Sequence, residues 1–364
     1  MSQNDRIDHL FWVKTLPEDV EINLAYSNMQ FLLKPEELPF DRDSIRLHNF
    51  PGDARLGSRH LLETISRRES VPGSNILLSL GTSLANYLLW SVLLHKGDEV
   101  LVEFPAYEPM IKVPRQLGAK VRYLKREPAD FSLSVAAIAD TISDKTRMII
   151  LTDSHNPSGN QLSHEVLEYL KTLCRERQII IFIDEVYSRF YRKESLFIDY
   201  PEFIVTSSLS KYYGLGSMRI GWAFAPAEIV EKALDFLDYL NPELPFPSLY
   251  LAHLLLNHPV FGVLEERVQQ RVKRNRELVI DYLNRTDFLS SYLPKNGILF
   301  FPQVRKKIDV QKFHSVLYEK YRTLVTPGSF FAMPRHFRIT AIWDEETIAE
   351  GLRRLEAALG ESSG

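Results

Sequence analysis

The chain has 364 residues, of which 45% are hydrophobic and 25% are charged, a composition typical of a soluble globular protein with one large core and a smaller second one. Its formal net charge of −3 gives no general electrostatic reason to bind nucleic acid or an anionic membrane. With Cys174 as the single cysteine, the chain can build neither an internal disulfide framework nor a cysteine zinc site. We therefore expect small molecules as partners, with no nucleic acid and no metal.

The expected location is the cytoplasm. The N-terminal segment MSQNDRIDHLFWVK has no uninterrupted apolar core of signal-peptide length. No segment reaches the roughly 18 consecutive apolar residues that a membrane-spanning helix needs. A reducing compartment also suits a protein with one unpaired thiol.

Short apolar runs alternate with helical patterns between residues 75 and 225, which is typical of parallel strands joined by crossover helices. The pattern therefore predicts an α/β fold with a mostly parallel sheet. In chain order, the predicted strands are NILLSL (75–80), DEVLVE (98–103), KVRYL (120–124), RMIILT (147–152), IIIFID (179–184), EFIVTS (202–207) and IGWAFA (220–225).

From about residue 226 the pattern changes to long helices, and a second, smaller α+β domain is predicted. Its elements are the helix VFGVLEERVQQRVKRNRELVIDYLNRT, the strand ILFFPQV, the helix DVQKFHSVLYEKY, the strand FRITAIW and a final helix from about residue 345. We predict an N-terminal arm with part of the small domain in 1–45, a large domain in 46–255 and the rest of the small domain in 256–364.

Ligand chemistry in such a sheet gathers at the carboxyl ends of the strands. After NILLSL, Gly81, Thr82 and Ser83 begin a helix, and their free N–H and hydroxyl groups can hold a phosphate. A simple helix cap would use the same residues. In EFPAYEPM, Tyr107 lies between two prolines and can stack on a flat ligand, although a packed surface tyrosine is the alternative.

Two further loops carry polar residues at strand ends. Asn156 precedes Pro157 in DSHNPSGN, where a β-turn without chemistry would also use these residues. The strand IIIFID ends on Asp184, and Tyr187 follows in DEVYSRF. A carboxylate at such an end is costly unless it is paired, so a cation is expected there; a solvent-facing acidic pair or a helix cap is the alternative.

The segment VTSSLSKYYGLGSMRIG combines a lysine with hydroxyl residues and an arginine. Lys211 follows the end of a predicted strand, Ser208 precedes it, and Arg219 lies further along the same segment. These residue types suit a phosphate together with a reactive amine.

Together, the five loops suit pyridoxal phosphate, which has a planar ring, a phosphate, a ring nitrogen that needs an anion, and an aldehyde that reacts with an amine. The sequence resembles the fold-type I, class I/II pyridoxal-phosphate-dependent aminotransferases. The matching pieces, in the order found in that family, are GTS, PAY, NPSG, DEVY, SLSK with GLGSMRIGW, VTPGSFF and FRIT, and they span residues 81 to 340.

The resemblance implies an aminotransferase that moves an amino group between an L-amino acid and a 2-oxo acid by a ping-pong mechanism, with the cofactor alternating between pyridoxal and pyridoxamine phosphate. It implies that Lys211 binds the cofactor aldehyde and serves as the general base. Asp184 would pair with the ring nitrogen. Asn156 and Tyr187 would donate hydrogen bonds to the ring oxygen, and Tyr107 would stack on the ring.

The resemblance also assigns the residues that hold the two anionic groups. Arg338 in FRIT would bind the α-carboxylate of the substrate together with Asn156, whereas a strand arginine on the surface is the alternative. The phosphate-binding residues that it implies are Gly81, Thr82, Ser83, Ser208 and Arg219.

Some positions depart from the family pattern. Gly52 stands where family members often carry a tyrosine that reaches the phosphate of the neighbouring subunit. Ala25 and Tyr26 replace a glycine-containing turn near the substrate carboxylate. The resemblance implies a homodimer in which loops around Arg55 and Ser248 belong to the partner's site. These departures leave the amino acid substrate open.

Two alternatives to transamination remain. The same lysine and aspartate would support another reaction at a Cα carbanion, namely a β-elimination, a cyclisation or a decarboxylation. The other alternative is a sensor in which this fold is fused to a DNA-binding domain, but the segment before the large domain has no basic helix-turn-helix pattern.

Overall fold

The structure is a computed structural model that describes residues 6–40, 54–241, 243–305 and 307–363. Its helices are α1 (Asp8–Lys14), α2 (Ala54–Glu69), α3 (Thr82–Leu93), α4 (Glu108–Gln116), α5 (Val135–Thr141), α6 (His164–Arg177), α7 (Ala227–Leu237), α8 (Phe246–Asn257), α9 (Val260–Arg285), α10 (Val310–Glu319) and α11 (Glu345–Glu361). Its strands are β1 (Ile22–Asn23), β2 (Ile76–Ser79), β3 (Glu99–Phe104), β4 (Lys120–Lys125), β5 (Thr146–Thr152), β6 (Ile180–Asp184), β7 (Ile204–Ser208), β8 (Gly221–Phe224), β9 (Leu289–Ser290), β10 (Leu299–Phe300), β11 (Gln303–Val304), β12 (Thr323–Leu324), β13 (Thr326–Pro327) and β14 (Phe337–Thr340).

A 7-stranded sheet in the order β2-β8-β7-β6-β5-β3-β4 contains all the strands predicted between residues 75 and 225. Its strands are parallel except β8, which runs antiparallel to β2 and β7. The predicted α/β class with a mostly parallel sheet is confirmed. The strand order is not the chain order, because β5 pairs with β3 and leaves β4 at the edge.

The inner strands are apolar on both faces because helices cover both sides of the sheet. On β5, Ile149 and Leu151 belong to one core, whereas Met148 and Ile150 belong to the other. This alternation explains why the predicted strands look like continuous apolar runs.

The C-terminal part has its own small sheets and core. Strand β14 pairs antiparallel with β10 and β13, β9 pairs with β11, and β1 joins β12. The predicted strand ILFFPQV forms two short strands, β10 and β11. They are separated at Pro302, which has no N–H to donate to a ladder. The domain boundaries stay a prediction.

Helix α9 has 26 residues and buries one face. Its buried residues recur every three to four positions, and charged residues lie between them, as the sequence pattern predicts for an amphipathic helix. Across the described ranges, every helix is too short or too polar to span a bilayer.

Candidate active site

Five of the residues singled out from the sequence lie where the carboxyl ends of the strands of the large sheet meet. Strands β2, β3, β5, β6 and β7 run in the same direction, so their carboxyl ends meet there. Asp184 is the last residue of β6, and Lys211 follows β7. Asn156 follows β5, Tyr107 follows β3, and Gly81 follows β2.

Asp184 is a buried carboxylate without an ion-pair partner in the described part of the chain. Its side chain is 6% exposed and accepts hydrogen bonds from the Asn86 amide at 3.3 Å and the Val186 N–H at 3.1 Å. Burial raises the pKa of Asp184 to about 6, since these hydrogen bonds and the charge of Lys211 compensate only in part. A cation bound beside Asp184 would restore its ionised form.

Lys211 is half-buried, and its amine is held by a short contact to the N-terminal segment. Its Nζ donates to the Ser27 hydroxyl at 3.0 Å and lies 5.6 Å from the centroid of the Tyr187 ring. Burial raises the pKa of Tyr187, but the charges of Lys211 and Arg338 and the Ser27 hydroxyl outweigh it, so that the net pKa is lowered. The amine and the phenol are therefore electrostatically coupled.

Arg338 is a buried cation whose hydrogen-bond partners are all neutral. Its side chain is 2% exposed. One terminal nitrogen donates to the Asn156 side-chain oxygen at 2.8 Å, and the other donates to the Ala25 carbonyl at 3.1 Å and the Thr326 hydroxyl at 3.3 Å. Its Nε has no partner, and burial lowers the pKa of Arg338. A buried cation without an anionic partner is costly in free energy, so we expect an anion to bind beside it. A substrate carboxylate can be that anion.

The start of α3 and Arg219 form a small concave surface suited to a phosphate. Gly81 has φ +82°, and a Cβ built there would lie 2.4 Å from a terminal nitrogen of Arg219. Arg219 donates to the Leu80 carbonyl at 3.2 Å, and the Thr82 hydroxyl donates to the Ser207 carbonyl at 3.2 Å. The absence of a side chain at Gly81 thus leaves room for the guanidinium beside the helix N-terminus.

The other two residues of the predicted phosphate site lie on either side of this surface. Ser83 is exposed in the first turn of α3, and Ser208 is the buried last residue of β7. The Ser208 hydroxyl accepts a hydrogen bond from the Ser210 N–H at 3.3 Å.

Tyr107 precedes α4 and is half-buried. Burial, followed by the charges of Tyr187 and Asp184, raises its pKa, which indicates that the three side chains are close together. Its ring meets the ring of His9 edge-on, with centroids 5.6 Å apart. The sequence indicated this position from its flanking prolines but gave no sign of the contact with His9.

The sequence analysis missed several residues at this edge. Ser27 and Ala25 come from the N-terminal segment, and Asn86 lies one turn into α3. Thr326 reaches Arg338 from β13, and His9 lies on α1. Of these, Asn86 carried a signal, because it follows the GTS motif by about one helical turn. Gly52 lies outside the described residues, as does the side chain of Arg55.

These residues fit pyridoxal phosphate. The buried Asp184 lacks a cation, and the guanidinium of Arg219 lies beside Gly81 at the start of α3, where a phosphate would bind. Lys211 follows β7, which lies between β6 and β2 in the order of the sheet. In the same described ranges, no three histidine, cysteine or acidic side chains could together hold a metal ion.

Solved structures share this fold over nearly the whole chain. A pyridoxal-phosphate-dependent aminotransferase from Streptococcus suis superposes with a TM-score of 0.89 and 23% identity, covering 99% of this chain and 98% of that chain. The fold is therefore that of the fold-type I pyridoxal-phosphate enzymes.

The sequence profile of the family described as aminotransferase class I and II matches residues 57–355, and the chain belongs to this family. An aspartate aminotransferase of Pyrococcus abyssi is 27% identical over 99% of each chain. A capreomycidine synthase of Streptomyces vinaceus is 25% identical, covering 84% of this chain and 80% of that one. The protein is an aminotransferase that depends on pyridoxal phosphate, as the sequence predicted.

Proposed function

We propose that the protein transfers the amino group of an L-amino acid to a 2-oxo acid in two half-reactions that use the same carboxylate-binding residues. The observation that carries this proposal is the buried Arg338, hydrogen-bonded to Asn156 and charge-coupled to Tyr187, which in turn contacts Lys211. An anion-binding residue thus lies next to a reactive amine. Both an amino acid and a 2-oxo acid carry the carboxylate that such a pair binds.

Bound pyridoxal phosphate supplies an electron-withdrawing ring that stabilises negative charge at the substrate α-carbon. Lys211 would hold the cofactor through its amine and, once that amine is free, its Nζ would move a proton between the substrate α-carbon and the cofactor in each half-reaction. Ser27 orients this Nζ by accepting its hydrogen bond. Asp184 would pair with the ring nitrogen, and Asn86 holds the Asp184 carboxylate in place from α3.

The substrate carboxylate is bound by Arg338 and Asn156. Arg338 is fixed by the Ala25 carbonyl and the Thr326 hydroxyl, so its planar group is held in place with its Nε–H available to the carboxylate. The Asn156 side-chain oxygen accepts from Arg338, which leaves its NH₂ group free to donate to the ring oxygen. Tyr187 donates to the same oxygen.

The phosphate is bound at the other end of the site by the start of α3 and by Arg219. Backbone N–H groups at the beginning of a helix attract an anion, and the Arg219 guanidinium adds a charge-assisted contact. The hydroxyls of Thr82, Ser83 and Ser208 complete the set. Tyr107 would stack on the cofactor ring.

We also propose a homodimer in the cytoplasm. Besides the resemblance, an open groove of about 880 Å³ supports the dimer, because Leu62, Leu234 and Leu244 line it beside the edge strand β2. Apolar surface of this kind suits an interface between subunits. Sedimentation velocity should give a dimer at micromolar concentration, and a fully active monomer would contradict this part of the proposal.

Transamination is tested with stoichiometric holoenzyme. An amino acid labelled with ¹⁵N and given without an acceptor should yield one equivalent of its 2-oxo acid and retain the label on the protein. A second 2-oxo acid should then leave as a labelled amino acid. Lys211→Ala should do neither. Ammonia or carbon dioxide released in step with turnover, or a cyclised product formed without 2-oxo acid, would contradict the proposal.

A further inference from the structure

His9 is a buried histidine whose ring has no hydrogen-bond partner within the described ranges. The residue is 4% exposed and lies near the start of α1. Within the described ranges, its Nδ1 is enclosed without a partner, and its Nε2 forms no hydrogen bond either. A buried polar group in this state costs free energy, so a partner that is not part of this chain's described structure is expected.

The imidazole lies in a cluster of aromatic rings at the substrate side of the site. Its centroid is 5.1 Å from that of Phe330 in a stacked arrangement, and 5.6 Å and 5.8 Å from those of Tyr107 and Phe331. The guanidinium of Arg338 lies 5.7 Å from the centroid of the same Phe331 ring. His9 and Arg338 therefore lie near the same aromatic ring.

His9 is a neutral group at this position. Burial, followed by the positive charges of Arg338 and Lys211, lowers the pKa of His9 to about 3. At neutral pH the ring therefore offers one N–H donor and one nitrogen acceptor and carries no charge.

Helix α1 is fixed over the site by contacts that also occupy the nearby cations. The backbone N–H of His9 donates to the Glu108 carboxylate at 2.8 Å. Lys112 pairs with Glu108 at 2.6 Å and with Asp8 at 3.6 Å, and its Nζ donates to the Arg6 carbonyl at 2.5 Å. The Arg6 guanidinium is in turn paired with Asp8 at 3.1 Å. Among the described residues on α1 and α4 that surround His9, Arg6 and Lys112 are therefore both paired, and neither is free for the second carboxylate of a dicarboxylic substrate.

We propose that His9 is a specificity-determining residue, which hydrogen-bonds to a polar group on the aromatic side chain of the amino acid substrate. Ring faces suit an aromatic side chain. The ring nitrogens of His9, which have no partner within the described residues, suit a neutral donor or acceptor on that side chain, such as the hydroxyl of tyrosine. This inference rests on the proposed function for its kinetic test. The binding test below does not depend on the proposed function.

The kinetic test compares tyrosine, phenylalanine and aspartate as amino donors for the wild type, His9→Phe and Val13→Ala. The wild type should prefer tyrosine to aspartate in kcat/KM by about tenfold or more. His9→Phe keeps a ring and removes both nitrogens, so it should lower kcat/KM for tyrosine by about tenfold and that for phenylalanine by less than about threefold. Val13, on the same helix and 43% exposed, is the control, and Val13→Ala should change neither value.

The binding test uses two unreactive carboxylates, 3-(4-hydroxyphenyl)propionate and 3-phenylpropionate, titrated calorimetrically into the holoenzyme. The wild type should bind the hydroxylated compound more tightly, and His9→Phe should lose this preference. If transamination is not observed but the preference is lost with His9, the proposed function fails and this inference stands. An unchanged preference in His9→Phe, or tighter binding of succinate than of either compound by the wild type, would overturn it.

Discussion

The guanidinium of Arg338 donates to the side-chain oxygen of Asn156 at 2.8 Å, although 182 positions separate the two residues in the chain. The position of Asn156 is itself stabilised, because its backbone N–H donates to the Thr152 hydroxyl at 3.0 Å. That hydroxyl donates to Glu103 at 2.5 Å, and Glu103 pairs with Arg126 at 2.6 Å. A series of hydrogen bonds thus runs from the buried Glu103–Arg126 ion pair through Thr152 and Asn156 to Arg338.

Arg338→Ala should raise KM for the amino acid and for the 2-oxo acid by about 100-fold each, with a smaller change in kcat, because the lost contact serves the carboxylate that both substrates share. Steady-state kinetics in both directions measure this. Arg335→Ala is the matched control, since within the described residues the Arg335 side chain donates only to the Val304 and Arg305 carbonyls. A KM increase confined to one substrate would show that Arg338 does not bind the common carboxylate.

Thr152→Val should raise KM for the same substrates several-fold through Asn156, while the affinity for the cofactor changes by less than about twofold. The substitution keeps the shape of the side chain and removes the hydroxyl that links Asn156 to Glu103. Thr206→Val on β7, separated from β5 by one strand, is the control, because the Thr206 hydroxyl is also buried and has no partner within the described residues. Equal kinetic effects of the two variants would refute a positioning role for Thr152.

Borohydride treatment of the holoenzyme should fix the cofactor covalently to Lys211, the amine that Ser27 holds at 3.0 Å. Peptide mapping by mass spectrometry locates the adduct. Ser27→Ala should leave the attachment site unchanged and lower kcat, because Nζ loses its orienting contact. An adduct on another lysine would remove the basis for the catalytic assignment.

The affinity for pyridoxal phosphate should fall as the pH drops below about 6. Burial raises the pKa of Asp184 to about 6, so below this pH the cofactor-free protein holds a proton on the carboxyl group that must be ionised to pair with the ring nitrogen. The expected loss approaches about tenfold per pH unit. Equilibrium titrations of cofactor-free protein between pH 5 and pH 8 measure it.

Asp184→Asn is the control for this pH dependence, because the cofactor phosphate itself titrates near pH 6. The variant should bind more weakly at high pH and show only the shallower dependence that the phosphate produces. Its kcat should be lower by several orders of magnitude, since the ring nitrogen loses its anion. Parallel pH profiles of the two proteins would contradict the role of Asp184.

Gly81→Ala should weaken cofactor binding by about tenfold or more. A Cβ at this position would lie 2.4 Å from a terminal nitrogen of Arg219 and displace the guanidinium from the start of α3. Gly97→Ala is the control for backbone strain alone, because Gly97 also has a positive φ, +97°, but open space around its Cβ position. Thermal unfolding should show similar destabilisation in both variants, and only Gly81→Ala should change the affinity for the cofactor.

Several features of the site were predictable because each depends on a short stretch of chain. Asp184 ends one apolar strand and Lys211 follows another, and the ends of these strands meet because the strands are parallel. Gly81 lies directly between a strand and a helix. In contrast, Ser27 and His9 lie in segments without a motif. They reach the site because β1 pairs with β12 and α1 packs against α4, and neither contact leaves a periodic signal.

By itself, the sequence determined the α/β class, the positions of the strands in the large sheet, the family and the cofactor, because period, strand-end chemistry and motif order are local properties of the chain. The tertiary structure decided the strand order, the split of ILFFPQV into two strands, the neutral partners of Arg338 and the enclosure of His9. These depend on which distant segments share the same space and on how far burial removes a charge or a nitrogen from water. Packing of the whole chain sets both quantities.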